Sequence, residues 1–276
     1  MLTKSLQSFS RLILSNPSKS HRGFSSSKFS PSQAAAIELR EYDLFPEHAS
    51  SYMQLTTDTS ELRKSLSPLR FFSLPETGGK LNVATHAYYY AGGLSERDET
   101  RKTMAENNEW QDYIASMRFC VQAQNSTIFV EAPLVRQFDL PGLATIVPSP
   151  SSGAAQQEPG GNNNNCILEI RRYNLKLGYD TVPKFLELYG SGLPSKLNAD
   201  GTDPTTSLIT LLSSEVGRLN EVVEIWRHGN GTTAMEQSRV AARGAQEWRS
   251  AIASIADLAI EFRSTIHKPV SFSPIR

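Results

Sequence analysis

The chain contains itself twice, and that repetition constrains its fold more than any other feature. "IELREYDL" at 37–44 returns as "LEIRRYNL" at 168–175, a shift of 131 residues. "GKLNVATHAY" at 79–88 returns as "GRLNEVVEIW" at 217–226, a shift of 138. The same 138 carries Arg101 to Arg239 and the pair Glu109-Trp110 to Glu247-Trp248. The difference between the shifts places a longer loop in the second copy, most simply in the Gly/Pro/Asp-rich "GSGLPSKLNADGTDP" at 190–204. Between the copies lies "VPSPSSGAAQQEPGGNNNN", whose composition is that of a linker. The expected organisation is a first domain at 37–134, a low-complexity linker at 143–165 and a second domain at 166–273.

Each copy spells the same elements. Residues 37–44 alternate as a strand, and Pro46 opens a helical stretch carrying Ala49, Tyr52, Leu55, Leu62 and Leu66. Strands follow at 69–74 and 81–90, separated by a Gly78-Gly79 turn. Ser95 with Asp98 caps a helix expected to reach about Met117, and "STIFVEAP" makes the last strand. The second copy reads as strand 168–175, a helix from about Tyr179, strands at 207–212 and 219–226, and a helix from Thr233 to about Phe262. Its last strand falls near "KPVSF". The order β-α-β-β-α-β makes the chain α+β, with two ferredoxin-like repeats. A sheet with helices on one face needs a partner for the other, so the two copies are expected to close on each other as an internal dimeric α/β barrel.

The first thirty residues differ in kind. They carry Lys4, Arg11, Lys19, Arg22 and Lys28, and no acid precedes Glu38. Leu2, Leu6, Phe9 and Ile13 recur at helical spacing, and "SHRGFSSSKFS" follows. An amphipathic, basic, Ser-rich and acid-free start predicts a transit peptide over 1–30, mitochondrial first and chloroplast second. The chain balances 28 basic against 28 acidic residues, and the body beyond this segment is mildly acidic. That gives no electrostatic footprint for nucleic acid. No apolar run reaches the length of a membrane span. Two cysteines without paired spacing indicate neither a zinc site nor a disulfide framework, and no phosphate-binding glycine loop or nucleophile elbow occurs. No cofactor is expected.

The motif string "LExRxYxL", "GxLNxVxxxW", a spaced Arg and "EWxxxI", present in both copies, resembles the NIPSNAP family of the dimeric α/β-barrel group. The resemblance covers both repeats from Ile37 onward. It implies a mitochondrial protein acting through protein association in organelle homeostasis, mitophagy or vesicle traffic, and it carries no catalytic residue set. Some small relatives in the wider barrel group are cofactor-light oxygenases or bind haem, which implies the alternative of a small-molecule-binding protein or an oxygenase-like enzyme with a pocket between the two sheets. Further oligomerisation is left open.

Alternation places Glu38, Arg40 and Tyr42 on one face of the first strand, and Asn82, His86 and Tyr88 on one face of the third. The second copy offers Glu169, Arg171, Tyr173, Asn220, Glu224 and Trp226 in the same places. These twelve residues are the candidate lining of a pocket between the two sheets. Arg40 or Arg171 would anchor an anion, and His86 would serve as acid or base in the first half alone, since Glu224 replaces it in the second. The competing reading is a self-satisfied polar network buried where the sheets meet. Trp110 and Trp248 are expected to anchor their helices to the sheet, and Arg101 and Arg239 to lie on solvated helix faces.

Overall fold

The computed structural model describes residues 34–146 and 165–276; the transit-peptide expectation lies outside them. The first copy builds β1 (Ala36–Leu44), α1 (Ala49–Asp58), α2 (Ser60–Leu66), β2 (Leu69–Thr77), β3 (Val83–Tyr90), α3 (Gly93–Glu106), α4 (Asn108–Met117) and β4 (Val121–Glu131). A short α5 (Pro133–Gln137) follows. The second copy builds β5 (Ile167–Leu175), α6 (Thr181–Leu197), β6 (Thr206–Val216), β7 (Glu221–His228), α7 (Gly231–Gly244), α8 (Gln246–Ala256) and β8 (Ala259–Pro269). The eight strands close into one barrel in the order β1-β3-β2-β8-β5-β7-β6-β4, with every pair antiparallel. Each copy contributes four adjacent strands, and the seams between copies are β2–β8 and β4–β6. Among the described residues no helix is long and apolar enough to cross a membrane.

The lumen is packed over part of its length, and its remaining end holds a cavity of about 210 Å³ lined by Glu41, Thr85, Ile170, Arg172, Thr265 and His267, among others. Ile37, Leu39, Phe71, Ala87 and Phe129 of the first copy pack with Leu168, Ile170, Ile209, Leu212, Val223 and Ile225 of the second. Leu143 and Ile275 enter the same cluster. The segment expected as linker from 143 thus begins with a core residue, whose N–H donates to Glu131 Oε1 at 2.6 Å. The two seams have diverged. Phe129, Leu212 and Val223 sit by one seam, whereas their counterparts His267, Ser73 and Thr85 make the other polar. His267 bridges Ser73 Oγ (3.2 Å) and Thr265 Oγ1 (3.0 Å), and burial, then the Arg172 charge, pushes it down to about 3. Glu41 and Arg172 occupy equivalent positions and pair at 2.8 Å. Two identical copies could not make that contact.

Three boundaries differ from the sequence reading, each for a local reason. The long helices break at Asn107 and Ala245, both extended, and Asn107 Oδ1 accepts the Trp110 N–H at 2.8 Å as an N-cap. The helix expected to reach Phe262 ends at Ala256, and the last strand is Ala259–Pro269 rather than "KPVSF". Its residues alternate between the lumen and the helix side, a period that a short helix-compatible run conceals. The glycine-rich 190–204 is helical as far as Leu197. A Cβ on Gly192 would stand 2.6 Å from Ala251 Cβ, so this glycine permits α6 to pack on α8 rather than making a turn. The extra residues of the second copy lie beyond Leu197, ahead of β6.

Candidate functional site

The twelve candidate residues do not meet between the halves. Strand β1 is buried on both faces: Ile37 and Leu39 point into the lumen, while Glu38, Arg40 and Tyr42 face the helices. The register pairs Glu38 with Tyr88 and Arg40 with His86, and in the second copy Glu169 with Trp226 and Arg171 with Glu224. The polar sets therefore form two sites, each between one sheet and its own helices. Alternation identifies a face but not which face meets the other copy. Asn82 and Asn220 leave both sites and close the strand ends, their carbonyls accepting the N–H groups of Leu44 and Leu175 at 2.8 Å.

In the first repeat a cavity of about 450 Å³ is lined by Arg40, Tyr42, Arg63, Tyr88, Arg101 and Trp110, among others. Arg63 comes from α2 and is buried. It donates to Tyr88 Oη (2.6 Å) and Tyr113 Oη (2.7 Å), and its guanidinium carbon lies 5.0 Å from the Trp110 ring centroid. Arg40 stacks over Tyr42 at 5.1 Å and donates to Gln124 at 3.3 Å. Glu38 accepts from Arg97 (2.9 Å), Arg101 (3.0 Å) and Ser126 (2.7 Å). Burial alone would raise its pKa, but these donors and the Arg40 charge hold it below the usual carboxylate range. Tyr42 is pushed up to about 12 by burial.

His86 is not placed for proton transfer to a ligand. Its ring stacks on Phe72 at 4.9 Å and meets the edges of Tyr42 and Tyr88 at 4.8 and 5.4 Å. It is fully buried, and neither ring nitrogen has a hydrogen-bond partner. Burial, then the charges of Arg63 and Arg40, hold it neutral, well below the ordinary histidine range. It packs as an aromatic ring.

The second repeat's cavity, about 460 Å³, is lined by Arg171, Lys196, Trp226, Arg239, Trp248 and Phe262, among others. Glu169 lies behind it, accepting from Arg171 Nε and Nη2 (2.7 and 3.1 Å), from Ser264 Oγ (2.6 Å) and from Arg239. His228 Nε2 stands 3.4 Å away. Burial opposes its ionisation, yet the His228 contact and the Arg171 charge and hydrogen bonds hold Glu169 far below the carboxylate range. Glu224 accepts from the Tyr173 hydroxyl at 2.6 Å and from the Trp226 indole N–H.

Sequence reasoning missed several members of these sites. Arg101 and Arg239 are not solvated face residues: they grip Glu38 and Glu169 from the same position in each repeat, and their common register was the available signal. Arg63 and Lys196 carried no such signal, because they do not align between copies. Trp110 and Trp248 are buried against the sheet, anchoring α4 and α8 as expected.

The fold and its paired sites define a class: a tandem ferredoxin-like chain closed as an intramolecular α/β barrel. The NIPSNAP family model matches residues 37–135 and 168–274, and the chain belongs to that family. It is similar to human NipSnap homolog 3A, 23% identical over 247 residues covering 87% of this chain and 85% of that protein. Mouse NipSnap homolog 3B is likewise 23% identical, covering 89% and 87%. A solved candidate monooxygenase from Fusobacterium nucleatum superposes with a TM-score of 0.58 at 12% identity, over 87% of this chain and 94% of that one. At that identity the likeness shows the fold alone.

Proposed function

We propose that this NIPSNAP protein is a mitochondrial small-molecule-binding protein whose first repeat takes an organic anion with an aromatic or apolar body. The observation that carries the reading is an imbalance of charge. Among the described residues Glu38 is the one carboxylate lining the first cavity, and it is already held by Arg97 and Arg101. Arg40 and Arg63 face the same space with no carboxylate within ion-pair distance among the described residues. Uncompensated buried cations are costly, and an anionic ligand would offset them. The walls of Tyr42, Tyr88, Trp110 and Ile114 suit an apolar body. The acid-free amphipathic start supports import into the organelle.

Isothermal titration with phenylacetate tests this. The wild-type chain is expected to bind it, and Arg40→Gln to weaken binding by about tenfold through loss of a charge-assisted contact. Equal affinity in the variant, or no binding by either, would contradict the reading.

Association with another protein is a second reading, favoured by one feature. Leu177, Tyr179, Ile260 and Phe262 are exposed around the adjoining ends of β5 and β8. The equivalent positions of the first repeat hold Pro46, His48, Gln122 and Gln124.

A further inference from the structure

The second repeat's cavity contains a primary amine that the fold leaves without a hydrogen bond. Lys196 lies in the last turn of α6 and is 7% exposed. Its Nζ sits 3.8 Å from the Trp226 ring centroid and 4.2 Å from that of Trp248. Glu224 Oε2, at 3.9 Å, is beyond hydrogen-bond reach, and among the described residues Nζ has no hydrogen-bond partner. In the first repeat the corresponding space holds Arg63, whose two terminal nitrogens donate to the hydroxyls of Tyr88 and Tyr113 while its Nε has no partner. The second repeat places Trp226 and Ala251 at those two positions, and neither side chain offers a hydroxyl acceptor. A cation is retained while its hydrogen-bond acceptors are removed. Two indole faces stand where those acceptors would be, and the amine is left without a hydrogen bond beside open cavity space.

We propose that Lys196 forms an imine with a small oxo acid admitted to this cavity. Burial, and next the Arg171 charge, pushes the amine down to about 7 against the pull of Glu224 and Glu169, so neutral amine is abundant at physiological pH. Arg239 of α7 also faces the amine's surroundings and disfavours additional positive charge there, while His228 from β7, itself held toward its neutral form by burial, lines the same cavity. The Nζ lone pair attacks the carbonyl carbon, and one amine proton passes to the carbonyl oxygen. The carbinolamine hydroxyl then leaves as water with the second amine proton, giving C=N. The partly exposed Arg239 guanidinium is the partner for the acid's carboxylate. Nζ stands between two indoles at the wall of the cavity, and Trp248 lines that cavity too, so shortening Trp248 widens access to the amine.

The test is reductive trapping on the full chain with glyoxylate and cyanoborohydride, from about pH 6 to about pH 9, read by intact mass and peptide mapping. The expected result is one adduct on Lys196, formed about tenfold faster than on any other lysine at neutral pH, with a rate midpoint near 7. Lys196→Arg should lose that adduct, and Trp248→Ala should accelerate it. Adducts spread evenly over the lysines, or Lys196 unmodified in both wild type and Trp248→Ala, would overturn the proposal. Neither result bears on the anion pocket of the first repeat, which uses different residues.

Discussion

Replacing Glu169 with alanine is expected to destabilise the protein by about 3–5 kcal/mol, the cost of leaving buried cations without their carboxylate. Glu169 is fully buried and holds Arg171, Arg239 and Ser264, with His228 nearby. Removing it strands Arg171, itself largely buried and, among the described residues, in ion-pair range of only one further carboxylate, Glu224 at 3.8 Å. Thermal unfolding should shift down by on the order of 10 °C for a chain of this size. The same residue sets a pH dependence. Its folded pKa is depressed, so its contribution is complete above the unfolded glutamate value of about 4.3 and fades as pH falls below it toward the folded value. The wild type should therefore lose stability through that acid range more steeply than Glu169→Gln. A melting-temperature series against pH for both proteins checks it, and parallel curves would sink the assignment. Glu38→Ala should cost less, because its partners Arg97 and Arg101 are more exposed and can regain water.

The second large effect belongs to the lumen. Phe129→Ala is expected to cost about 3–5 kcal/mol, transfer and cavity terms together. Phe129 is fully buried beside the β4–β6 seam, within a cluster drawn from both repeats. Its loss weakens the join between copies, not one copy alone. Leu219→Ala, at an exposed position of the repeated "GxLN" phrase, should stay within about 0.5 kcal/mol and serves as the control. Denaturant titration with an unchanged m-value is the expected form of the Phe129 result. A loss no greater than that of Leu219→Ala would show that the seam is not packed through this ring.

The repeat, the α+β class and the closed barrel were legible because period-2 alternation and two constant shifts survive divergence. The side of the sheet was not legible. In β1 the residues of both faces are buried, Ile37 and Leu39 toward the lumen and Glu38 and Tyr42 toward the helices, so polarity alone assigned the wrong partner surface. The strand Ala259–Pro269 was hidden because "AIEF" is equally acceptable to a helix, and only pairing with β5 decides between them. Lys196 and Arg63 were hidden for a different reason. Each is a long cation in a stretch with no motif, and its importance comes from the aromatic rings that the fold brings over it, three for Arg63 and two for Lys196. His86 shows the opposite failure. It looked like chemistry because it is the point where the copies disagree, yet Phe72, Tyr42 and Tyr88 enclose it as a neutral ring.

The two larger cavities lie between each sheet and its helices, and the space left in the barrel lumen is smaller, about 210 Å³. A crystal structure grown with phenylacetate tests most directly which space takes the ligand. The carboxylate is expected in the first repeat beside Arg40 and Arg63, with its ring against Tyr42, Tyr88 or Trp110. The ligand found instead inside the barrel, among Ile37, Ile170 and Ile225, would contradict it.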